Sequence, residues 1–117
     1  MFVYGTLLDG RVQQRVTGRR FQAMSARLPG FVRYRVSGMA YPGIRPKSDA
    51  VAEGALLAPM GPGALRRLDA FEGKLYRRER HDVVLGTGEV RQAFVYVVQR
   101  SRRHRLSRRE WVVRARR

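Results

Sequence analysis

A chain of 117 residues is long enough for one domain with its own hydrophobic core, and the absence of cysteine excludes a disulfide framework, a thiolate zinc site and a cysteine nucleophile. No apolar run approaches the roughly 20 residues of a membrane-spanning helix, and Met1 leads directly into strand-like sequence rather than a leader, so a cytoplasmic protein is expected. The 25 Lys and Arg residues against 9 Asp and Glu give a net charge of +16, half of it from the last 19 residues, which reads either as a solvated arginine-rich surface or as a field for nonspecific polyanion binding.

In chain order, Met1–Tyr4 is apolar and strand-like and stops at Gly5. The stretch Phe2-Val3-Tyr4-Gly5-Thr6-Leu7-Leu8 therefore runs a strand into a Gly-Thr turn. Such a turn leaves backbone N–H groups unpaired by the sheet, and these can cradle a carboxylate or an oxyanion. Residues Asp9–Thr17 are polar and compatible with a short helix. Arg20–Leu28 and Phe31–Val36 read as two strands separated by Pro29-Gly30, the second with strict two-residue alternation. Tyr41-Pro42-Gly43 punctuates the chain, and little room for a covering loop is left between Gly43 and Val51. Val51–Ala58 reads as a strand whose internal glycine, Gly54, signals a bulge or a close backbone approach.

The period then changes. After Pro62, the residues Leu65, Leu68, Asp69, Phe71 and Glu72 follow helical spacing, with Gly73 placed to end the helix. Tyr76–Leu85 and Val90–Gln99 flank Gly86-Thr87-Gly88-Glu89 as a β-hairpin. Near the end, Ser107 and Glu110 have capping-box spacing, and Leu106 and Trp111 have the spacing of a hydrophobic staple. A short helix over Arg108–Arg114, with Trp111 packed on the body, is the expectation. The predicted fold is α+β: a small mixed β-barrel or strongly curved sheet with one main helix and a short C-terminal helix, in one domain spanning residues 1–117.

Glu72 is the first candidate for chemistry. At a helix end beside Phe71 and Tyr76, a carboxyl has its charged form disfavoured, and its pKa rises toward the range useful for proton transfer. The alternative is a solvated glutamate at a helix terminus. Asp69 shares that face or lies on the helix surface. Tyr4, Tyr41, Tyr76 and Tyr96 are candidates for one cavity, or barrel tyrosines with their hydroxyls at the rim. Arg78, two residues after Tyr76 on the same strand face, holds Glu72 or a substrate carboxylate, or is solvated. His81 and His104 lack the support of a metal site, and no Ser-His-Asp order, P-loop or dinucleotide fingerprint is present.

Four elements in order, Tyr4-Gly5-Thr6-Leu7, Tyr41-Pro42-Gly43, Leu68-Asp69-Ala70-Phe71-Glu72-Gly73 with Tyr76 and Arg78, and Phe94-Val95-Tyr96-Val97, resemble the γ-glutamylcyclotransferase-like superfamily. The likeness is to its short bacterial AIG2-like members and covers essentially the whole chain, with the segment from Leu106 to Trp111 as a closing element. The resemblance implies a small barrel with a cavity at one end. It implies an enzyme that cyclises a γ-glutamyl amine or peptide to 5-oxoproline with release of the amine, with no cofactor. Glu72 is then the general acid/base. Tyr4, Gly5, Thr6 and Leu7 form the carboxylate loop, with Tyr41, Pro42, Tyr76, Arg78 and Tyr96 as further substrate-binding positions. The rival expectation is a non-catalytic module that binds a small molecule, or nucleic acid through its cationic surface.

Overall fold

The computed structural model describes residues 1–36, 42–98 and 106–110 of the chain. Six strands and two α-helices follow one another: β1 (Phe2–Val3), α1 (Gly10–Thr17), β2 (Ala23–Val36), β3 (Pro42–Leu57), α2 (Pro62–Glu72), β4 (Tyr76–Leu85), β5 (Val90–Val98) and β6 (Leu106–Glu110). Neighbouring strands pair antiparallel in the order β1-β3-β2-β4-β5, and this sheet closes into a small five-stranded barrel. The α+β barrel expected from the sequence is the observed architecture. No helix among the described residues is long and apolar enough to cross a membrane.

Side chains alternate across a strand, and here the alternation divides the core in two. Phe2, Leu56, Val95 and Val97 fill the barrel interior together with Leu28, Ile44 and Val83. The residues next to them, Met1, Val3, Leu57, Tyr96 and Val98, point the other way and form a second layer with Leu7, Leu68, Leu75 and Tyr76. The helix α2 covers this second layer with Leu68, while Phe71 turns to solvent at 48% exposure. A fully buried leucine contributes about 2 kcal/mol of transfer free energy, so Leu68 is the anchor that fixes the face α2 presents.

Local signals account for both helices. Asp9 caps α1 by accepting a hydrogen bond from the Arg11 N–H at 2.8 Å, and Gly18 ends the helix in the left-handed region at φ 87°. Pro62 opens α2, and Gly73, at φ 74°, closes it with its N–H donating to the Asp69 carbonyl.

Gly54 is the close approach that its position inside a strand predicts. A Cβ built there would stand 2.8 Å from Phe2 Cζ and against the backbone oxygen of Val3. Only glycine lets β1 lie this tightly on β3, opposite Leu56 and Ala55 in register.

Two expectations are corrected. Pro29-Gly30 does not separate two strands; β2 runs through it as one strand of 14 residues. The irregularity is absorbed in the pairing, which passes from Pro29 opposite Val51 to Phe31 opposite Pro46, with Gly30 at φ 83°. A Pro-Gly pair reads equally as a turn or as a bulge, and here the long partner strand selects the bulge. Secondly, residues 106–110 are strand, not the start of a helix. Leu106 pairs with Val36 and Glu110 with Tyr34, at the end of β2 that β4 leaves unpaired. A helix of so few residues is marginal by itself, and an open strand edge offers backbone partners that outweigh a local capping signal. Trp111 and the remainder of that predicted helix lie outside the described residues.

Candidate active site

The turn after β1 is a single 3-10 turn over Thr6–Leu8, closed by hydrogen bonds from the Leu8 N–H to the Gly5 carbonyl at 2.9 Å and from the Asp9 N–H to the Thr6 carbonyl at 3.1 Å. The N–H groups of Gly5, Thr6 and Leu7 are not the donors of these closing bonds. Gln13, buried on α1, holds the turn from behind. Its Nε2 donates to the Leu7 carbonyl and its Oε1 accepts from the Phe21 N–H, each at 2.9 Å. Sequence reasoning missed Gln13; its only signal is a polar residue at a helix position where the neighbouring turns, Val12 and Val16, pack inward. Replacing Gln13 by Ala leaves two buried backbone groups unpaired, and a loss of about 2 kcal/mol in stability is expected by urea unfolding.

The turn, α2 and the strands β4 and β5 converge on one small cavity of about 30 Å³, lined by Tyr4, Gly5, Thr6, Leu7, Glu72, Tyr76 and Tyr96 with Phe2 and Val3. The cavity opens to solvent, so this enclosed volume is only part of the space beside Glu72. Glu72 reaches it because it lies one helical turn beyond the buried Leu68, on the face that α2 turns toward the sheet. Glu72 is half-buried, and burial raises its pKa from 4.5 to about 7. The solvated alternative left open by the sequence is not what the fold adopts.

The tyrosines are held by a relay. The Tyr4 hydroxyl donates to the Tyr96 carbonyl at 2.5 Å, tying the end of β1 to β5. The Tyr96 hydroxyl donates to Asp69 Oδ1 at 2.6 Å, and Arg78 Nε lies 3.3 Å from the same oxygen. Burial raises the pKa of Tyr4, with Tyr76 and Glu72 adding to the effect. Tyr96 is raised first by burial and then by its bond to Asp69. Both therefore stay neutral hydroxyl donors across the physiological range.

The predicted site residues divide accordingly. Tyr4, Gly5, Thr6, Leu7, Glu72, Tyr76 and Tyr96 come together around the cavity. Arg78 pairs with Asp69 rather than with Glu72, behind Tyr96. Asp69 is thus a structural acceptor in the relay rather than a bare helix-surface residue. Pro42 is the first residue of β3, opposite Arg35. Tyr41 lies outside the described residues. Among the described residues no group of three or more His, Cys, Asp or Glu has the geometry of a metal site; His81 instead packs its ring on Phe31 and lies 2.8 Å from Glu79 Oε1.

The chain is similar to known plant proteins. AIG2-like protein D of Arabidopsis thaliana is 41% identical over 86 residues, covering 73% of this chain and 56% of that protein. AIG2-like protein A of the same plant is 38% identical over 78 residues, covering 67% of this chain and 47% of the relative. The chain thus spans about half the length of these curated relatives. Two solution structures of Arabidopsis thaliana proteins superpose with TM-scores of 0.77 and 0.76 at 33% and 28% identity. They cover 85% and 83% of this chain, which in turn covers 67% and 59% of theirs. The family model described as gamma-glutamyl cyclotransferase, AIG2-like, matches residues 1–113, and the chain belongs to that family.

Proposed function

We propose that the protein is an active γ-glutamylcyclotransferase-type enzyme that converts a γ-glutamyl amine to 5-oxoproline and the free amine. The observation that carries this reading is the placement of half-buried Glu72 in a cavity it shares with the Tyr4–Leu7 turn, where burial raises its pKa to about 7. A carboxylate so tuned is matched to an α-ammonium group, whose ordinary pKa is about 8.

The reaction is an attack within one molecule. The substrate's α-carboxylate lies on the N–H groups of Gly5, Thr6 and Leu7, which holds the glutamyl chain folded. Glu72 takes a proton from the α-ammonium, and the freed amine attacks the γ-carbonyl carbon. The new carbon–nitrogen bond closes a five-membered ring, and the former carbonyl oxygen carries the negative charge. Collapse re-forms the carbonyl and breaks the bond to the leaving nitrogen, to which Glu72 returns a proton. A second proton follows the same route, so two protons move from the α-nitrogen to the amine, which departs as an ammonium ion. Effective molarities of about 10⁵–10⁸ M for well-oriented intramolecular attack mean that folding the substrate supplies most of the acceleration. Tyr76 and Tyr96 line the walls around the reacting atoms.

A panel of γ-glutamyl compounds with different leaving amines, scored for 5-oxoproline, tests the reading. Turnover of at least one member is expected; a panel without 5-oxoproline under conditions where the protein is folded rejects the enzyme reading. On a turned-over substrate, kcat/KM is expected to rise with pH along a limb centred near 7, as Glu72 becomes the carboxylate that accepts the proton. A flat profile between about pH 5.5 and 8.5 contradicts the assignment of the base.

A further inference from the structure

A second cavity, larger than the one beside Glu72, lies elsewhere on the molecule. A groove of about 410 Å³ opens where the start of β2, the end of β3 and the loop leading to α2 meet β4 and β5. Met24, Met60, Leu65 and Phe94 give it apolar walls, and Arg80 and Arg91 stand among its lining residues. That volume lies at the lower end of the range for small-molecule sites, and an apolar cleft with a few placed polar groups is their usual composition.

Its charge is what selects a ligand. Arg78 and Arg80 both lie over the Phe94 ring, 4.7 and 5.4 Å from its centroid. Arg78 is engaged by Asp69, and Arg91 by Glu89 at 2.9 Å. Arg80 is in no ion pair among the described residues, although Asp82 follows it by two on the same strand face. The Nη1 of Arg78 is buried without a hydrogen-bond partner. Arg78 is not among the residues that line the groove, so Arg80 is the guanidinium on that ring that meets a ligand there. Two guanidinium groups on one ring, one of them unpaired, leave a local positive excess beside an apolar cleft.

We propose that this groove is a second ligand site, for a small amphipathic carboxylate. The apolar body packs between Phe94 and the methionines, and the acid is received by Arg80. The groove and the cavity beside Glu72 share one face of the sheet. Phe94 and Tyr96 are two residues apart on β5, and Arg80 and Arg78 face them in register on β4. The ligand is therefore seated next to the Tyr96–Asp69–Arg78 relay without occupying the cavity beside Glu72.

Hydrocinnamate, an arylalkyl carboxylate, and its neutral amide are the probes, titrated into the full chain with the methionine methyl groups as nuclear magnetic resonance reporters. The acid is expected to shift the Met24 and Met60 methyl signals saturably and to bind about tenfold tighter than the amide, the factor that one charge-assisted contact of about 1.4 kcal/mol supplies. Arg80→Gln, at an exposed position, is expected to remove that preference for the acid. Glu72→Gln is expected to leave binding unchanged, which separates this site from the proposed reaction. Absence of a saturable shift at Met24 and Met60, or equal binding of acid and amide, overturns the proposal.

Discussion

Glu72→Gln is expected to lower 5-oxoproline formation by about 10²–10⁴-fold, the usual contribution of a positioned acid/base group, while making the protein more stable above neutral pH. The stability half follows from the pKa. Burial raises the Glu72 carboxyl from 4.5 to about 7, so between those values the folded protein keeps a proton that the unfolded chain releases. Stability therefore falls as pH rises through that window, because the folded state must either hold the proton or bury a charge. At about 1.4 kcal/mol per pH unit, reduced for the part of Glu72 that water reaches, the loss is about 2 kcal/mol. Glutamine has the same shape and no charge to bury. Urea unfolding is expected to show the variant about 2 kcal/mol more stable than the parent at pH near 8, and equal to it near 4. A variant that is inactive and also less stable at both pH values would mean that Glu72 holds the fold together rather than serving chemistry.

Gly54→Ala is expected to destabilise the protein by about 3 kcal/mol, a fall of roughly 10 °C in Tm, although the substitution adds a single methyl group. The added carbon meets the Val3 backbone oxygen as well as the Phe2 ring, and a backbone atom cannot rotate away as a side chain can. Phe2 and Val3 are the whole of β1, so relief requires lifting that strand off Ala55 and Leu56. The same movement carries the Tyr4–Leu7 turn away from Glu72. Loss of substrate turnover is expected to exceed what the unfolded fraction explains. Thermal unfolding followed by circular dichroism, with activity measured well below the transition, separates the two effects. By contrast, Gly63→Ala on α2 meets nothing within 4 Å and serves as the control.

The parts of the fold written in local chemistry were legible in the sequence. Pro62 and Gly73 bracket α2, the spacing from Leu68 to Glu72 turns that carboxyl toward the sheet, and the Gly86–Glu89 turn joins β4 to β5. Gly54 announced a close approach without naming its neighbour. The failures share a cause: strand pairing is settled between distant segments. Ser107 and Glu110 carry a helix-start signal, yet the free edge of β2 at Tyr34 and Val36 recruits residues 106–110 as a strand. Pro29-Gly30 likewise reads as a break until the long partner β3 bridges it.

The site was legible in the same uneven way. Tyr4, Gly5, Thr6, Leu7, Glu72, Tyr76 and Tyr96 are carried by short motifs and do converge. What supports them is nonlocal. Gln13 props the turn from α1 across six residues, and Tyr96 meets Asp69 across 27. Arg78 was readable as a partner for a carboxylate, but alternation along β4 cannot say which carboxylate, and register decides for Asp69.

The nature of the product tests the central claim most directly. With the γ-glutamyl compound that is turned over fastest, the account predicts 5-oxoproline and free amine in equal amounts, and no glutamate. Glutamate in place of 5-oxoproline would mean that water, not the substrate's own α-amine, attacks the γ-carbonyl, and would contradict the account.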